Sequence, residues 1–224
     1  MGNGRVALLC PSRGRAESLK RLLESFTDTT SGKADIFVRN GVTDVELASY
    51  EGINHPNLTK FLGSDADFGH WPNAGYCFAM QDLWVRYPGY SIYTCMEDDF
   101  SFTEKEWDQK LLDAVSIFPN RVGLVGWQVN GRSTTLLAAS DTWCEALGYF
   151  QKPHLQEAAY DGLHALGAAV DRIAKGPQIY HHSTVTRWTH MAPIWAKDVS
   201  LMHEWIKSPD FEEDIQKLKR ASNV

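Results

Sequence analysis

The chain has no C-x-x-C pair, no secretory-length or membrane-length apolar run, no internal repeat and no low-complexity tract. Each absence removes a class of protein. Its four cysteines, at 10, 77, 95 and 144, are too scattered for a disulfide framework or a zinc ribbon. Cys10 and Cys95 lie in apolar runs, so buried thiols in a reducing compartment are expected. The apolar run in "MGNGRVALLCPSRGR" is too short for a signal peptide, and nothing approaches the roughly 20 residues of a membrane span. The expectation is a protein without an integral membrane segment, in the cytoplasm (the host's, if the chain is viral). Positive charge is also scarce. With 22 Lys and Arg against 28 Asp and Glu the net charge is −6, which argues against nucleic-acid binding by bulk electrostatics. A local basic cluster does exist near the N-terminus: Arg13, Arg15, Lys20 and Arg21.

What is present is an alternation. "RVALLC" (5–10) reads as a strand, and "AESLKRLLESF" (16–26) as a helix, with Leu19, Leu22, Leu23 and Phe26 at helical spacing. "KADIFVRNG" (33–41) is a second strand ending in an Asn-Gly turn, and "NLTKFLG" (57–63) a third. A helix over 74–88, a strand over 91–96, an amphipathic helix over 103–119 and a strand over 121–129 follow. Beyond residue 130 the pattern loosens: a strand over 144–152, a helix over 155–174 and a strand over 177–182, with "QVNGRS" and "STVTRWTH" as flexible loops. Residues 197–220 suit one or two outer helices. Strand and helix in turn predict an α/β, mainly parallel sheet covered by helices. In such sheets ligands bind at the carboxyl ends of strands. "PSRGR", "RNGVTD" and "EDD" all fall there.

Three adjacent acids, Glu97, Asp98 and Asp99, follow the strand that ends near Met96. They repel one another unless a positive group lies among them. Carboxylate oxygens suit a hard cation such as Mn²⁺ or Mg²⁺, and a solvated acidic turn ahead of a helix is the plainer reading. If the chain stays extended, Glu97 and Asp99 share one face and Asp98 takes the other. Asp99 then holds the metal and Asp98 reaches a ribose.

Several stretches taken in order narrow the choice: "ALLCPSRGRAESLKRLLESF", "VRNGVTD", "NAGYCFAM", "MEDDFSF" ahead of a Trp-containing helix, "ALGYFQK" and "YHH". Over residues 5 to about 185 they resemble the nucleotide-sugar glycosyltransferases of the GT-A fold, the family-2-like group in particular. The resemblance implies a single Rossmann-like GT-A domain over 1–196, its nucleotide-sugar half at 1–100 and its acceptor half at 101–196, with a helical tail at 197–224. It implies Pro11, Ser12, Arg13, Asn40, Gly41, Asp67, Asn73 and Asp98 around the nucleotide sugar, with Asp65 nearby. For the metal it implies Glu97, Asp99 and His182, with His181 as the alternative to His182. Arg13 or Arg187 would add positive charge at the leaving group.

The chain departs from the family where an inverting enzyme has its base, since Ala168 and Ala169 stand in "LGAAVDRIAK". Asp161 and Asp171 are the preferred bases, with Glu157 and Glu145 behind them; a retaining mechanism needs none. Of the aromatics Trp127, Trp143, Tyr149, Tyr160 and Trp188, at least half are expected in the core. The expected activity is metal-dependent transfer from a UDP-sugar to a hydroxyl, carbohydrate being favoured over a modified viral DNA base. Two rivals remain. A sugar nucleotidyltransferase needs a Gly-rich opening loop that "CPSRGR" lacks, and a non-catalytic binding protein is compatible with the missing base.

Overall fold

The structure is a computed structural model that describes residues 2–41, 44, 46–63, 76–152, 155, 159–182 and 188–223. β1 (Val6–Pro11) leads through α1 (Ala16–Thr29) to β2 (Ala34–Gly41), and α2 (Leu47–Glu51) precedes β3 (Leu58–Gly63). Then come α3 (Tyr76–Arg86), β4 (Ile92–Cys95), β5 (Phe100–Phe102), α4 (Trp107–Ser116), β6 (Leu124–Val129) and β7 (Arg132–Ser140). The last elements are α5 (Asp141–Leu147), α6 (Ala159–Ala169), β8 (Ile173–His181), α7 (Trp188–Ile206) and α8 (Pro209–Ala221).

One eight-stranded sheet orders these as β3-β2-β1-β4-β7-β6-β8-β5. The first four strands are mutually parallel, β7 runs antiparallel to both β4 and β6, and β8 is parallel to β6. β8 therefore points the same way as β4. Its last residue, His181, lies at the edge of the sheet where the turn after β4 lies.

Apolar side chains divide between the two faces. Leu19, Leu22 and Phe26 of α1 join Trp107, Leu111 and Val115 of α4 on one face. Met80 and Leu83 of α3 join Trp143, Leu163, Trp205 and Leu218 on the other. Phe211, Ile215 and Leu218 of α8 belong to the second core. Trp127 and Trp143 are fully buried and Tyr149 is nearly so, in keeping with a core role. All four cysteines are buried and none is in a disulfide.

Three local expectations are corrected. The strand expected over 144–152 is α5 and the coil after it. Ser140 caps that helix by accepting the Trp143 N–H, and Gly148 ends it in the left-handed region at φ 80°. "QVNGRS" is no flexible loop but the tight turn of the β6–β7 hairpin, with Asn130 and Gly131 at φ 49° and 76°. The Asn-Gly pair at 40–41, expected to turn, stays in β2 and pairs with Leu62 and Gly63.

Candidate functional site

α1 leaves β1 toward one face of the sheet, while α3 on the opposite face leads into β4, the other neighbour of β1. Such a change of side opens a crevice beyond the carboxyl ends of the two strands, where open α/β sheets take ligands. Here the crevice lies between the loop after β1 and the turn after β4.

The β1 loop is built rigidly. The Ser12 N–H donates to the Arg39 carbonyl (3.1 Å), and Asn40 Nδ2 donates to the Ser12 carbonyl (2.9 Å). Both carboxylate oxygens of Asp44 accept the Gly14 N–H (3.0 and 3.1 Å), and Glu46 accepts that of Ala16 (3.3 Å). The Tyr50 hydroxyl accepts the Arg15 N–H (2.9 Å) and lies 2.8 Å from Ser12 Oγ. Since Ser12 Oγ itself donates to Asp98 Oδ2, Tyr50 must donate to Ser12. Burial pushes the Tyr50 phenol up to about 12, so it remains the neutral hydroxyl this relay needs.

β4 ends at Cys95, and the Phe100 N–H closes a turn onto the Glu97 carbonyl (3.3 Å). The extended-chain alternation expected for the three acids therefore does not hold. Asp98 and Asp99 face the same partner: Arg15 Nε lies 2.8 Å from Asp98 Oδ1, and Nη1 lies 2.8 Å from Asp99 Oδ2. The first approach is close but not aligned as a hydrogen bond. Asp98 Oδ1 and Asp99 Oδ1 are both buried acceptors with no hydrogen-bond donor.

Burial raises the Asp98 carboxyl to about 7, even against the pull of Arg15 and Ser12. Burial also pushes Asp99 up, but the neighbouring His181 imidazole and the Arg15 charge more than offset it, leaving Asp99 below its ordinary value. His181, with Nε2 3.6 Å from Asp99 Oδ1, is raised in return, chiefly by Asp99. Its ring stacks on Phe100 at 4.4 Å, the residue paired with it across β5 and β8.

The expected site residues thus fall into groups. Pro11, Ser12, Asn40, Gly41, Asp98 and Asp99 come together at the crevice, and Arg13 is exposed on the β1 loop. Glu97 is half-buried in the acidic turn. Of the histidines, His181 reaches Asp99, whereas the His182 ring pairs with Ser101 Oγ at 2.7 Å. Asp161 begins α6, which runs antiparallel to β8, so it lies toward the crevice edge. Asp171 precedes β8 at φ 54° and is exposed, so eight strand steps at about 3.3 Å separate the start of β8 from His181, roughly 26 Å. Glu145 follows β7, whose last residue pairs with the start of β4, and so also lies at the opposite edge. Asp65, Asp67, Asn73, Glu157 and Arg187 lie outside the described residues, as does the Trp188 side chain. Asp44 and Tyr50 are participants that the sequence did not single out, and Arg15 stood out there only as one of a basic cluster.

The donor set suits a hard divalent cation, since two buried carboxylate oxygens lack any hydrogen bond. Among the described residues, however, no three ligating side chains are gathered into a ready-made metal cluster. Also among them, no helix is long and apolar enough to cross a membrane.

No protein-family model matches the chain, and no curated protein sequence matches it. Solved structures do. The mannosyltransferase PcManGT from Pyrobaculum calidifontis, in complex with GDP-Man and Mn²⁺, is similar at a TM-score of 0.65 and 15% identity, over 99% of this chain and 72% of that one. S. aureus TarS 1-349 in complex with UDP-GlcNAc gives 0.62 and 12%, over 98% and 72%. Rv0371C from Mycobacterium tuberculosis, in complex with manganese, gives 0.52 and 11%, over 84% and 97%. At these identities the likeness is one of architecture: the chain has the Rossmann-like GT-A fold of nucleotide-sugar glycosyltransferases.

Proposed function

We propose that the chain is a glycosyltransferase that moves a sugar from a nucleoside-diphosphate donor, a UDP-sugar in the first instance, to a hydroxyl acceptor. One observation carries this reading: the Asp98–Asp99 turn after β4 faces the Ser12–Arg15 loop after β1 at the switch point of the sheet. The donors bound to the similar structures, GDP-Man and UDP-GlcNAc, are of the class that such a crevice would take.

In this reading Ser12, Arg13, Asn40 and Gly41 line the nucleotide side of the crevice. Asp99, flanked by Glu97 and with His181 rather than His182 beside it, holds a divalent cation, Mn²⁺ or Mg²⁺. When bound, the cation supplies positive charge against the diphosphate that departs with the nucleotide. Asp98 is sealed in by Ser12 and Arg15. Its task is to position Arg15, whose guanidinium then faces the developing negative charge. Asp161, at the crevice edge, is our assignment for the base that removes the acceptor proton. A carbohydrate hydroxyl is the proposed acceptor, since the net charge of −6 offers little to a DNA duplex.

The test is release of nucleoside diphosphate from UDP-glucose, UDP-GlcNAc and GDP-mannose, with Mn²⁺ and with EDTA. Ion-dependent release from one donor is the expected result. Tight nucleotide binding with no turnover on any donor would leave a binding protein instead.

A further inference from the structure

Asp141 is 6% exposed, and one of its carboxylate oxygens, Oδ1, is buried without a hydrogen-bond donor. Oδ2 accepts the Gly2 N–H at 2.7 Å. Among the described residues no Lys, Arg or His pairs with this carboxylate. Its place in the first turn of α5 favours a negative charge through the helix dipole, yet leaves Oδ1 without a proton donor. A buried anion with neither a counter-charge nor a full set of donors is unfavourable. At the acidic turn Arg15 supplies that charge; here the partner is the backbone nitrogen of Gly2.

The chain is shaped to bring that nitrogen in. A Cβ on Gly2 would fall 2.5 Å from both Cα and N of Ser91, so glycine alone lets the nitrogen approach this closely. The Asn3 N–H donates to the Gly89 carbonyl (2.9 Å) and the Gly4 N–H to Ser91 Oγ (2.8 Å), which fixes the segment. The Ser91 carbonyl in turn accepts the Asp141 N–H (3.0 Å), so one residue holds both the segment and its acid. Ser91 immediately precedes β4 and Asp141 immediately follows β7, beside the Ile92–Ser140 pair. The segment therefore meets the join between the parallel and antiparallel parts of the sheet, at the edge opposite the crevice.

The state of the nitrogen decides what it can give. Within a peptide, or under an acyl cap, it has one hydrogen and no charge. Freed as an α-ammonium it has three hydrogens and a unit positive charge, like a lysine head group, and can serve both carboxylate oxygens. The 2.7 Å separation suits such a charge-assisted bond. We propose that the peptide bond before Gly2 is a processing site, and that the α-ammonium freed there is the counter-ion of Asp141. In the cut, the oxygen of a water joins the Met1 carbonyl carbon as the C–N bond breaks. Met1 leaves as a carboxylate, and both water hydrogens pass to the Gly2 nitrogen. The pairing goes beyond the glycosyltransferase reading and does not depend on it.

Intact mass and N-terminal sequencing of the full chain should find Gly2 as the first residue, with a free amine. Two forms, released from ubiquitin fusions so that one starts at Met1 and the other at Gly2, are then compared by thermal denaturation. The Gly2 form should melt higher by about 5 °C. Asp141→Asn should erase most of that difference. In the folded Gly2 form the amine should react with an acylating reagent roughly tenfold more slowly than in urea. Equal melting of the two forms overturns the proposal, and so does a difference that survives in Asp141→Asn. A chain that keeps Met1 or further residues ahead of Gly2, or carries a blocked Gly2 amine, overturns it too. Should Asp141→Asn fail to fold, the amine decides: equal reactivity in the folded form and in urea refutes the ion pair.

Discussion

Nη1 of Arg15 lies 2.8 Å from Oδ2 of Asp99, joining the loop after β1 to the turn after β4 across 84 residues of sequence. The guanidinium supplies the positive group that three adjacent acids require, and it lies where a divalent cation would compete with it. Arg15→Ala should therefore destabilise the cation-free protein by on the order of 3 kcal/mol, the cost of stranding buried carboxylates. Mn²⁺ should then raise the thermal midpoint of the variant more than that of wild type. An equal or smaller shift would mean that Arg15 and the ion do not share the site.

The two candidate bases, Asp161 and Asp171, separate cleanly by mutation. Asp161→Asn should cut transfer by about a hundredfold or more, with nucleotide affinity unchanged. Asp171→Asn and Glu145→Gln, at the far edge of the sheet, should stay within about twofold of wild type. Steady-state rates beside UDP titrations give the answer. Full activity in Asp161→Asn would point to a retaining reaction.

Ten residues of sequence do not reveal that Asp161 and Asp171 lie at opposite edges of the sheet; only the direction of β8 does. The same limit explains Arg15. Both it and Arg13 belong to "PSRGR", and nothing in the string distinguishes the arginine that grips Asp98 from the one exposed to solvent. By contrast the 3-2-1-4 half was legible, because Val6–Pro11, Ala34–Gly41 and Ile92–Cys95 are apolar runs followed by strong turn or helix signals. β7 was not legible. In "RSTTLLAAS" two adjacent leucines stand among small and polar residues with no alternation, so its strand identity comes from pairing with β4 and β6 rather than from pattern. Two Asn-Gly pairs looked alike, and only the one flanked by antiparallel partners turns.

Asp108 should set part of the acid stability. It is fully buried and accepts the N–H groups of Ser31 and Lys33 (both 2.8 Å) and the Thr30 hydroxyl (2.7 Å). Burial pushes its carboxyl up, but these donors more than offset that and hold it below its ordinary value. A carboxyl lowered on folding contributes fully above its unfolded value, about 3.9, and loses that contribution as pH falls through the folded one. Urea midpoints of wild type should thus decline below about pH 4, and Asp108→Asn should be less stable at pH 6 with a shallower acid limb. Parallel curves would remove Asp108 from the account.

Gly63 leaves room for Arg39. A Cβ there would overlap Arg39 Cζ, and that guanidinium is pinned by Asp82 at 3.0 Å. Gly63→Ala should cost on the order of 2 kcal/mol by forcing the pair apart. Gly63→Ala combined with Arg39→Met should recover part of the loss. Chemical denaturation of the single and double variants measures the coupling, and additive costs would refute it.

The insertion of β7 between β4 and β6 has a consequence for how the molecule forms. β4 is complete at residue 95, yet its second neighbour is not made until residues 138–140. Until then β4 is an open edge, and the acidic turn beyond it hangs from a strand paired on one side only. Pairings between sequence-distant strands form late, because a long loop must close before they are rewarded. The crevice should consequently be among the last parts to acquire order. In pulse-labelled refolding, amides of β4 and β7 should gain protection together and after those shared by β1 and β2.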